Sequence, residues 1–180
     1  DSYRFNTPIA NIEEADLVIL CGTNPKIESP IINHTIFKSY NAGNEIFNIG
    51  EDISLNYPTH YLGQTLNDLD NDLLKKHLKK ATNPILIVGS GFLSQFNSDN
   101  TLKALFSFAS RSKIITANKN NLNFLSPHAS RVGQLLLGNT TDDICHPFTK
   151  LKKKSFDTVL SFSSEYIADT AFKESFKVYF

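Results

Sequence analysis

The sequence contains only two cysteines, and neither tryptophan nor methionine, in 180 residues. Cys21 and Cys145 are too few for a disulfide framework or for a four-thiolate iron–sulfur or zinc site. The five histidines show no spacing that is typical of metal ligands. We therefore expect no metal site in this chain.

Long apolar runs and an excess of one charge are also missing. No segment approaches the roughly 20 apolar residues that a helix needs to cross a bilayer, so we expect no direct membrane insertion. The 18 basic residues balance the 18 acidic residues, which leaves little attraction for nucleic-acid phosphates, and we expect no nucleic-acid partner. Because position 1 is not methionine, we expect a fragment of a longer subunit.

Short apolar runs that end at turn residues recur along the chain. Continuous runs of this kind are typical of strands that are covered on both faces, as in parallel sheets. The predicted strands are 15–21, 45–49, 84–88, 113–116, 158–162 and 176–180. Amphipathic or capped segments between them predict helices over 29–40, 66–81, 99–109, 130–137 and 164–172.

The alternation of strands and helices predicts an α/β fold, an open and mostly parallel sheet with helices on both faces. The predicted organisation is an α/β region over 1–117, a loop or boundary over 118–127 that is rich in Asn and Ser, and a continuation over 128–180 that is expected to be incomplete.

The most informative stretch is the turn Gly22-Thr23-Asn24-Pro25, which follows a predicted buried strand and precedes a predicted helix. Backbone N–H groups at the carboxyl end of a parallel strand can bind a phosphate or a nucleotide. Alternatively, these residues occur there because Gly, Asn and Pro favour the backbone angles of a turn.

A second glycine-containing turn follows the strand at 84–88. Gly89-Ser90-Gly91 resembles the start of a dinucleotide-binding fingerprint, but Ser94 stands in place of the third glycine and no acidic residue ends the next predicted strand. The nucleophile elbow of hydrolases is absent from the sequence. We expect neither NAD binding nor hydrolase chemistry.

Residues 14–36, EADLVILCGTNPKIESPIINHTI, resemble the large iron–sulfur (75 kDa) subunits of respiratory complex I. In that family a Glu-Ala-Asp sequence and a hydrophobic strand precede Gly-Thr-Asn-Pro-Arg, Glu-Ala-Pro and a helix. Residues 3–13 resemble the family's lead-in, and Ile49-Gly50, 61–63 and 84–90 match further short motifs. The match is strong over about the first 65 residues and patchy after 90.

The resemblance implies a Rossmann-like fold shared with molybdopterin-dependent oxidoreductases such as formate dehydrogenase. There a Gly-x-Asn-Pro turn helps to hold a guanine-dinucleotide cofactor, so Gly22, Thr23, Asn24 and Pro25 match the cofactor loop. Complex I members with this pattern are taken to have lost the cofactor. We therefore expect a vestigial loop, no catalytic residue and no cofactor here.

The resemblance also implies partners and a location. The family's cluster-binding cysteines lie in its N-terminal part, so iron–sulfur clusters are expected outside this sequence. The expected partners are that N-terminal part and other peripheral-arm subunits of complex I, on the matrix side of the mitochondrial inner membrane. The expected role is structural and non-catalytic within an enzyme that passes electrons from NADH to quinone and pumps protons.

Two other functions remain open from the sequence. The chain could be a segment of an active molybdopterin-guanine-dinucleotide oxidoreductase that resembles formate dehydrogenase, or a free-standing nucleotide-binding domain. The charges near the turn favour the structural role, because only Lys26 is basic there and Glu28 is acidic. We expect an empty, largely packed turn in which the Asn24 side chain bonds to local backbone and Pro25 fixes the exit of the strand.

Overall fold

The computed structural model describes residues 3–93, 98–128, 130–136, 158–161 and 176–179. The helices within these ranges are α1 (Pro25–Glu28), α2 (Pro30–Asn41), α3 (Asp72–Leu78), α4 (Ser90–Leu93), α5 (Ser98–Arg111) and α6 (Arg131–Leu136), with 3-10 helices over Ile9–Glu14 and Leu66–Asp70. The strands are β1 (Leu17–Cys21), β2 (Glu45–Ile49), β3 (His60–Gly63), β4 (Pro84–Val88), β5 (Ile115–Thr116), β6 (Lys119–Asn120), β7 (Leu122–Phe124), β8 (Thr158–Ser161) and β9 (Phe176–Tyr179).

The chain forms two compact units, Asp1–Val132 and Gly133–Phe180. In the second unit, β8 and β9 form a parallel pair in which Thr158 lies opposite Phe176. The described helices include none that is long and apolar enough to cross a membrane.

A five-stranded parallel sheet organises the first unit, in the order β3-β2-β1-β4-β7. The central strand β1 pairs with β2 and β4, so that Leu17 lies opposite both Glu45 and Pro84. All five residues of β1 and of β4 are buried, because both faces of the sheet are covered. The predicted α/β fold with a mostly parallel sheet is confirmed.

Side chains of the strands alternate between two separate hydrophobic clusters, one on each face of the sheet. On one face Leu17, Ile19 and Cys21 of β1 pack with residues of α3, α4 and α5. On the other face Val18 and Leu20 pack with residues of α2 and of the first 3-10 helix. Helices therefore cover both faces, as predicted.

Three of the predicted elements differ from the structure. The predicted strand 113–116 is shorter and lies outside the main sheet, because Ile115–Thr116 forms a small antiparallel ladder with Lys119–Asn120. The segment 118–127 is not a plain loop, since it contains β6 and β7. The helix predicted over 66–81 is a 3-10 helix followed by α3, and Asn71 caps α3 by accepting a hydrogen bond from the Leu73 N–H.

Most of the other predicted elements match the structure closely, and one lies outside the described residues. Strands 45–49 and 84–88 have the predicted bounds, and helices 29–40, 99–109 and 130–137 agree within about two residues at each end, as is usual for helix ends. The predicted helix 164–172 lies outside the described residues. Neither β3 nor β7 was predicted from the sequence.

Candidate functional site

The carboxyl ends of three adjacent strands meet at one edge of the sheet, and each strand is followed by a glycine. Gly22 follows β1, Gly50 follows β2 and Gly89 follows β4. The order of the strands changes direction between β1 and β4, which makes this edge the topological switch point at which open α/β sheets bind ligands. The predicted loop, Gly22 to Pro25, lies at this point.

Gly22 is needed at its position for two reasons. Its φ of +57° lies in the left-handed region that favours glycine. A Cβ atom at Gly22 would lie 2.6 Å from Cδ2 and 2.8 Å from the backbone N of Phe92, which is 2% exposed. The loop after β1 and the helix α4 are therefore in direct contact, and a side chain at Gly22 would separate them.

Backbone donors at this edge are used within the chain. The Gly22 N–H donates to the Ile49 carbonyl at 2.8 Å, and the Gly89 N–H donates to the Cys21 carbonyl at 2.9 Å. The Gly91 N–H donates to the Gly22 carbonyl at 3.0 Å. In glycine-rich phosphate-binding loops, N–H groups of this kind point at the ligand instead.

The Asn24 N–H has a different partner, the carboxylate of Glu28. The distance from Asn24 N to Glu28 Oε1 is 2.6 Å, a length typical of a charge-assisted hydrogen bond. A carboxylate of the chain thus takes the position next to Asn24 at which an anionic ligand would accept. This bond explains why an acidic residue, Glu28, lies within a turn whose sequence is compatible with phosphate binding.

The turn itself is built by backbone groups of Asn24 and by the ring of Pro25. The Asn24 carbonyl accepts from the N–H groups of Ile27 and Glu28, and Pro25 is the first residue of α1, where a missing N–H costs nothing. Thr23 and Pro25 are buried, which agrees with the predicted packing.

The predicted side-chain bond of Asn24 to local backbone is wrong for its oxygen. Among the described residues Asn24 Oδ1 and Thr23 Oγ1 are buried without a hydrogen-bond partner. Asn24 makes no side-chain cap bond to α1, and the N–H groups of Ile27 and Glu28 donate to its backbone carbonyl instead. Unpartnered buried polar atoms are rare in folded proteins and call for an explanation.

A cavity of about 500 Å³ opens beside the turn. The residues that line it come from the ends of the three strands and from the loops that follow them: Gly22, Thr23, Asn24, Glu28, Gly50, Glu51, Ile53, Gln64, Ser90, Gly91 and Phe92. The only charged residues among them are Glu28 and Glu51, and both are exposed. No lysine or arginine of the described chain lines the cavity.

These observations test the site against a dinucleotide cofactor with its diphosphate group. A diphosphate needs hydrogen-bond donors and positive charge, and cationic side chains are its usual partners. Here the N–H groups of Gly22, Asn24 and Gly91 are committed within the chain, and the charges on the lining are negative. The residues present do not fit the diphosphate.

The second glycine turn lies at the same edge, and it also packs within the chain. Gly89 and Gly91 bond to β1 and its loop, and the Phe92 ring lies against Gly22. A Cβ atom at Gly91 would lie 2.7 Å from the Gly22 carbonyl oxygen. These close approaches explain the glycines without a dinucleotide.

None of the cysteine and histidine residues that the structure describes lines the cavity. Cys21 is fully buried in β1, and burial raises the pKa of its thiol. Cys145 lies outside the described residues. The described residues contain no group of three or more His, Cys, Asp or Glu side chains that could hold a metal ion.

Several lining residues were not identified from the sequence. Phe92 is an ordinary apolar residue in sequence, and only the packing of α4 against β1 gives it a role. Glu51 and Gln64 follow β2 and β3 and reach the cavity through the parallel register of these strands. The glycine after each strand was the available signal, since it marks the residue at which a strand leaves the sheet.

The five-stranded parallel sheet with helices on both faces makes this chain an α/β protein. The chain matches the family described as "Molybdopterin oxidoreductase" over residues 1–176, and it belongs to that family. This finding agrees with the fold that the resemblance implied.

Individual curated relatives show which members of the family this chain resembles. The chain is 34% identical over 144 residues to the "NADH-ubiquinone oxidoreductase 75 kDa subunit" of Reclinomonas americana, an alignment of 77% of this chain and 21% of the relative. It is 34% identical over 145 residues to the mitochondrial "NADH-ubiquinone oxidoreductase 78 kDa subunit" of Candida albicans, covering 78% and 20%. It is 32% identical over 142 residues to the mitochondrial "NADH dehydrogenase [ubiquinone] iron-sulfur protein 1" of Solanum tuberosum, covering 76% and 19%.

The resemblance to the 75 kDa subunit that the motifs indicated is confirmed by these relatives. The chain spans about a fifth of the length of the curated relatives it matches.

Proposed function

We propose that this chain is a structural, non-catalytic segment of the large iron–sulfur subunit of respiratory complex I. The names of its relatives support a role in NADH:ubiquinone oxidoreductase. The observation that carries the structural role is the Glu28 carboxylate bonded to the Asn24 N–H, with no basic residue of the described chain on the cavity lining. In this proposal the loop from Gly22 to Pro25 keeps the fold of a cofactor loop without the cofactor.

The proposal extends to the rest of the assembly. Electrons pass from NADH to quinone, with proton pumping, in other parts of the assembly, and the iron–sulfur clusters belong to the N-terminal part of the subunit. That part and other peripheral-arm subunits are the proposed partners. The mitochondrial names of relatives support a mitochondrial location, and we propose the matrix side of the inner membrane.

Analysis of the native assembly tests this proposal. The assembly that contains the chain is purified from its source, and NADH:quinone reductase activity, molybdenum and released pterin are measured per copy of the chain. We expect NADH oxidation with neither molybdenum nor pterin. Molybdenum and pterin at one equivalent per chain would instead support the alternative, a segment of an active molybdopterin-guanine-dinucleotide oxidoreductase.

The same purification also tests the third function, that of a free-standing nucleotide-binding domain. Such a domain would elute as a monomer near the chain's own 20.2 kDa and would carry a nucleotide. We expect the chain to elute in a much larger assembly.

A further inference from the structure

The two edge strands of the parallel sheet, β3 and β7, differ in exposure. His60 and Tyr61 of β3 are exposed to solvent, whereas all three residues of β7 are buried. An edge strand leaves a row of backbone N–H and C=O groups free to pair with another chain. The difference arises because residues 4–7, which form neither helix nor strand, lie along the outer side of β7. We call these residues the N-terminal strap.

The strap and a neighbouring side chain bond the backbone groups on the outer side of β7. The Phe124 N–H donates to the Arg4 carbonyl at 3.2 Å. The Leu122 carbonyl accepts from Asn6 Nδ2 at 2.6 Å, and the Leu122 N–H donates to Asn120 Oδ1 at 3.1 Å. The other side of β7 pairs with β4. A strand of another chain would therefore find these three groups already bonded.

The side chain of Asn123 holds the strap in place. Its Oδ1 accepts from the N–H groups of Asn6 and Thr7, both at 2.8 Å, and its Nδ2 donates to Thr7 Oγ1 at 3.0 Å. Asn123 is fully buried, so these bonds are shielded from water. Pro8 comes next in the chain and has no N–H with which to pair a further strand. The strap thus covers β7 without adding a strand to the sheet.

The other edge strand, β3, carries devices of its own that discourage pairing. Its register with β2 shifts between Asn48 and Ile49, and His60 Nε2 lies 2.7 Å from Glu45 Oε2. The register of β7 with β4 has no such shift, and β7 contains no charged residue. Residues 120–126, NNLNFLS, contain no charge, no proline and no glycine, which is typical of segments that pair with copies of themselves. Of the two edge strands, β7 is the one that needs a cover.

We propose that the N-terminal strap prevents β7 from pairing with β7 of a second copy of this chain. If the strap opens, the Phe124 N–H and the Leu122 carbonyl lose their partners and become available to another strand. A second copy offers the same groups on an identical edge, so that pairing about a two-fold axis satisfies both chains at once. The strap is therefore a protective device built into the fold. The inference goes beyond the proposed function and does not depend on it.

Sedimentation velocity of the full 180-residue chain tests the inference. Asn6→Ala removes the donor to the Leu122 carbonyl, and Asn123→Ala removes the acceptor of two strap N–H groups. We expect either variant to self-associate with a dissociation constant at least about fivefold lower than that of the native chain, because one lost hydrogen bond is worth about that factor. Asn6 is only half-buried, so its variant decides the test if Asn123→Ala does not fold.

Asn48→Ala is the matched control, because it is the same substitution in a strand that β1 and β4 separate from β7. Asn48 is buried, and its Nδ2 donates to the Glu51 carbonyl at 2.8 Å. We expect this variant to lose stability, as the strap variants do, but to self-associate no more than the native chain. The control thus separates opening of the strap from general destabilisation.

Amide hydrogen exchange of Phe124 locates the contact between the copies. In the strap variants at low protein concentration, we expect this N–H to exchange at least about fivefold faster than in the native chain. The exchange should slow again as the concentration rises, because β7 of the second copy then supplies an acceptor.

Three results would overturn the inference: self-association of Asn6→Ala no stronger than that of the native chain, equal self-association of Asn48→Ala, or association that leaves the exchange of Phe124 independent of concentration. These results are distinct from failure of the proposed function, which is decided by molybdenum and pterin in the native assembly.

Discussion

The two edges of the parallel sheet use similar polar residues in opposite ways. At the amino edge, the Asp16 carboxylate accepts from the Thr82 N–H at 2.6 Å, the Thr82 hydroxyl at 2.8 Å and the Asn83 N–H at 3.0 Å. Asn121 Nδ2 donates to Asn83 Oδ1 and to the Pro84 carbonyl, both at 3.0 Å. The polar groups of this edge find partners in the chain.

At the carboxyl edge, Thr23 Oγ1 and Asn24 Oδ1 have no partner among the described residues, although both are buried. The Asn24 N–H and the glycine N–H groups there are committed within the chain, while two carboxylates border an open cavity. The polar groups of the amino edge are therefore satisfied within the chain, whereas the carboxyl edge keeps two buried polar atoms without a partner among the described residues.

The largest effect is expected where the carboxyl edge is most closely packed, at Gly22. Gly22→Ala combines a left-handed alanine, which costs about 1–2 kcal/mol, with overpacking against Phe92, which costs about 1–3 kcal/mol. We expect the free energy of unfolding to fall by about 2–5 kcal/mol in urea denaturation.

Gly43→Ala is the matched control for this substitution. Gly43 has a φ of +93°, and nothing lies within 4 Å of the position that a Cβ atom would take. Only the backbone cost of about 1–2 kcal/mol is expected there. Equal losses at the two glycines would show that the contact between Gly22 and Phe92 contributes nothing.

The amino edge is tested by Asp16→Ala, which leaves the N–H groups of Thr82 and Asn83 without their acceptor. We expect a loss of about 2 kcal/mol in the free energy of unfolding, since hydrogen bonds to a charged group are among the stronger ones. The exposed Asp52 supplies the control, and Asp52→Ala should change stability by less than about 0.5 kcal/mol. Comparable losses in the two variants would contradict the role given to the amino edge.

The thiol of Cys21, the last residue of β1, is expected to make stability depend on pH. Burial raises the pKa of its thiol above the ordinary value of 9.0, so the folded chain keeps the proton where the unfolded chain loses it. Below about pH 9 the thiol is protonated in both states and the free energy of unfolding does not depend on it. As the pH rises further, the unfolded chain binds fewer protons, and the free energy of unfolding falls by up to about 1.4 kcal/mol per pH unit.

Replacement by alanine isolates the contribution of this thiol. Tyr57, whose pKa burial also raises, contributes to the alkaline loss in both proteins, so only the difference between their slopes belongs to Cys21. We expect Cys21→Ala to flatten the decline between about pH 9 and pH 10, measured by urea denaturation at each pH. An unchanged slope would show that the thiol ionises in the folded chain.

The smallest effects come from two threonines that differ in hydrogen bonding. Thr7 is 5% exposed, and its hydroxyl donates to Asn121 Oδ1 at 3.3 Å and accepts from Asn123 Nδ2 at 3.0 Å. Thr7→Val should cost about 1 kcal/mol, because it leaves partners unsatisfied. Thr23→Val should cost nothing measurable or stabilise the chain slightly, since the Thr23 hydroxyl has no partner to lose. Thermal unfolding of both variants checks the comparison, and a larger loss at Thr23 would reverse it.

The sequence predicts the parts of the fold that depend on local pattern. β1 and β4 are continuous apolar runs, β2 is apolar at three of its five residues, and each of the three is followed by glycine. Since α5 is an amphipathic helix, the positions of these elements follow from periodicity and turn residues. The turn from Gly22 to Pro25 could also be placed, because strand, turn and helix follow each other in sequence.

The sequence cannot predict elements that depend on distant partners. β7 contains Asn123, a residue that strands disfavour, yet Asn123 is fully buried because Oδ1 accepts from the N–H groups of Asn6 and Thr7. These bonds join residues more than 110 positions apart. The unpartnered Asn24 Oδ1 could not be predicted either, because the sequence does not tell that the N–H groups of Ile27 and Glu28 donate to the Asn24 backbone carbonyl and not to its side chain.

The proposal that the carboxyl edge does not bind a diphosphate is tested most directly by a titration of the chain with inorganic pyrophosphate, followed by the amide NMR signals of Thr23, Asn24 and Gly91. We expect no saturable shift, because the Asn24 N–H is held by Glu28 and the Gly91 N–H by the Gly22 carbonyl. A saturable shift of these three signals would show that the carboxyl edge still binds a diphosphate, and the loop from Gly22 to Pro25 would then not be vestigial.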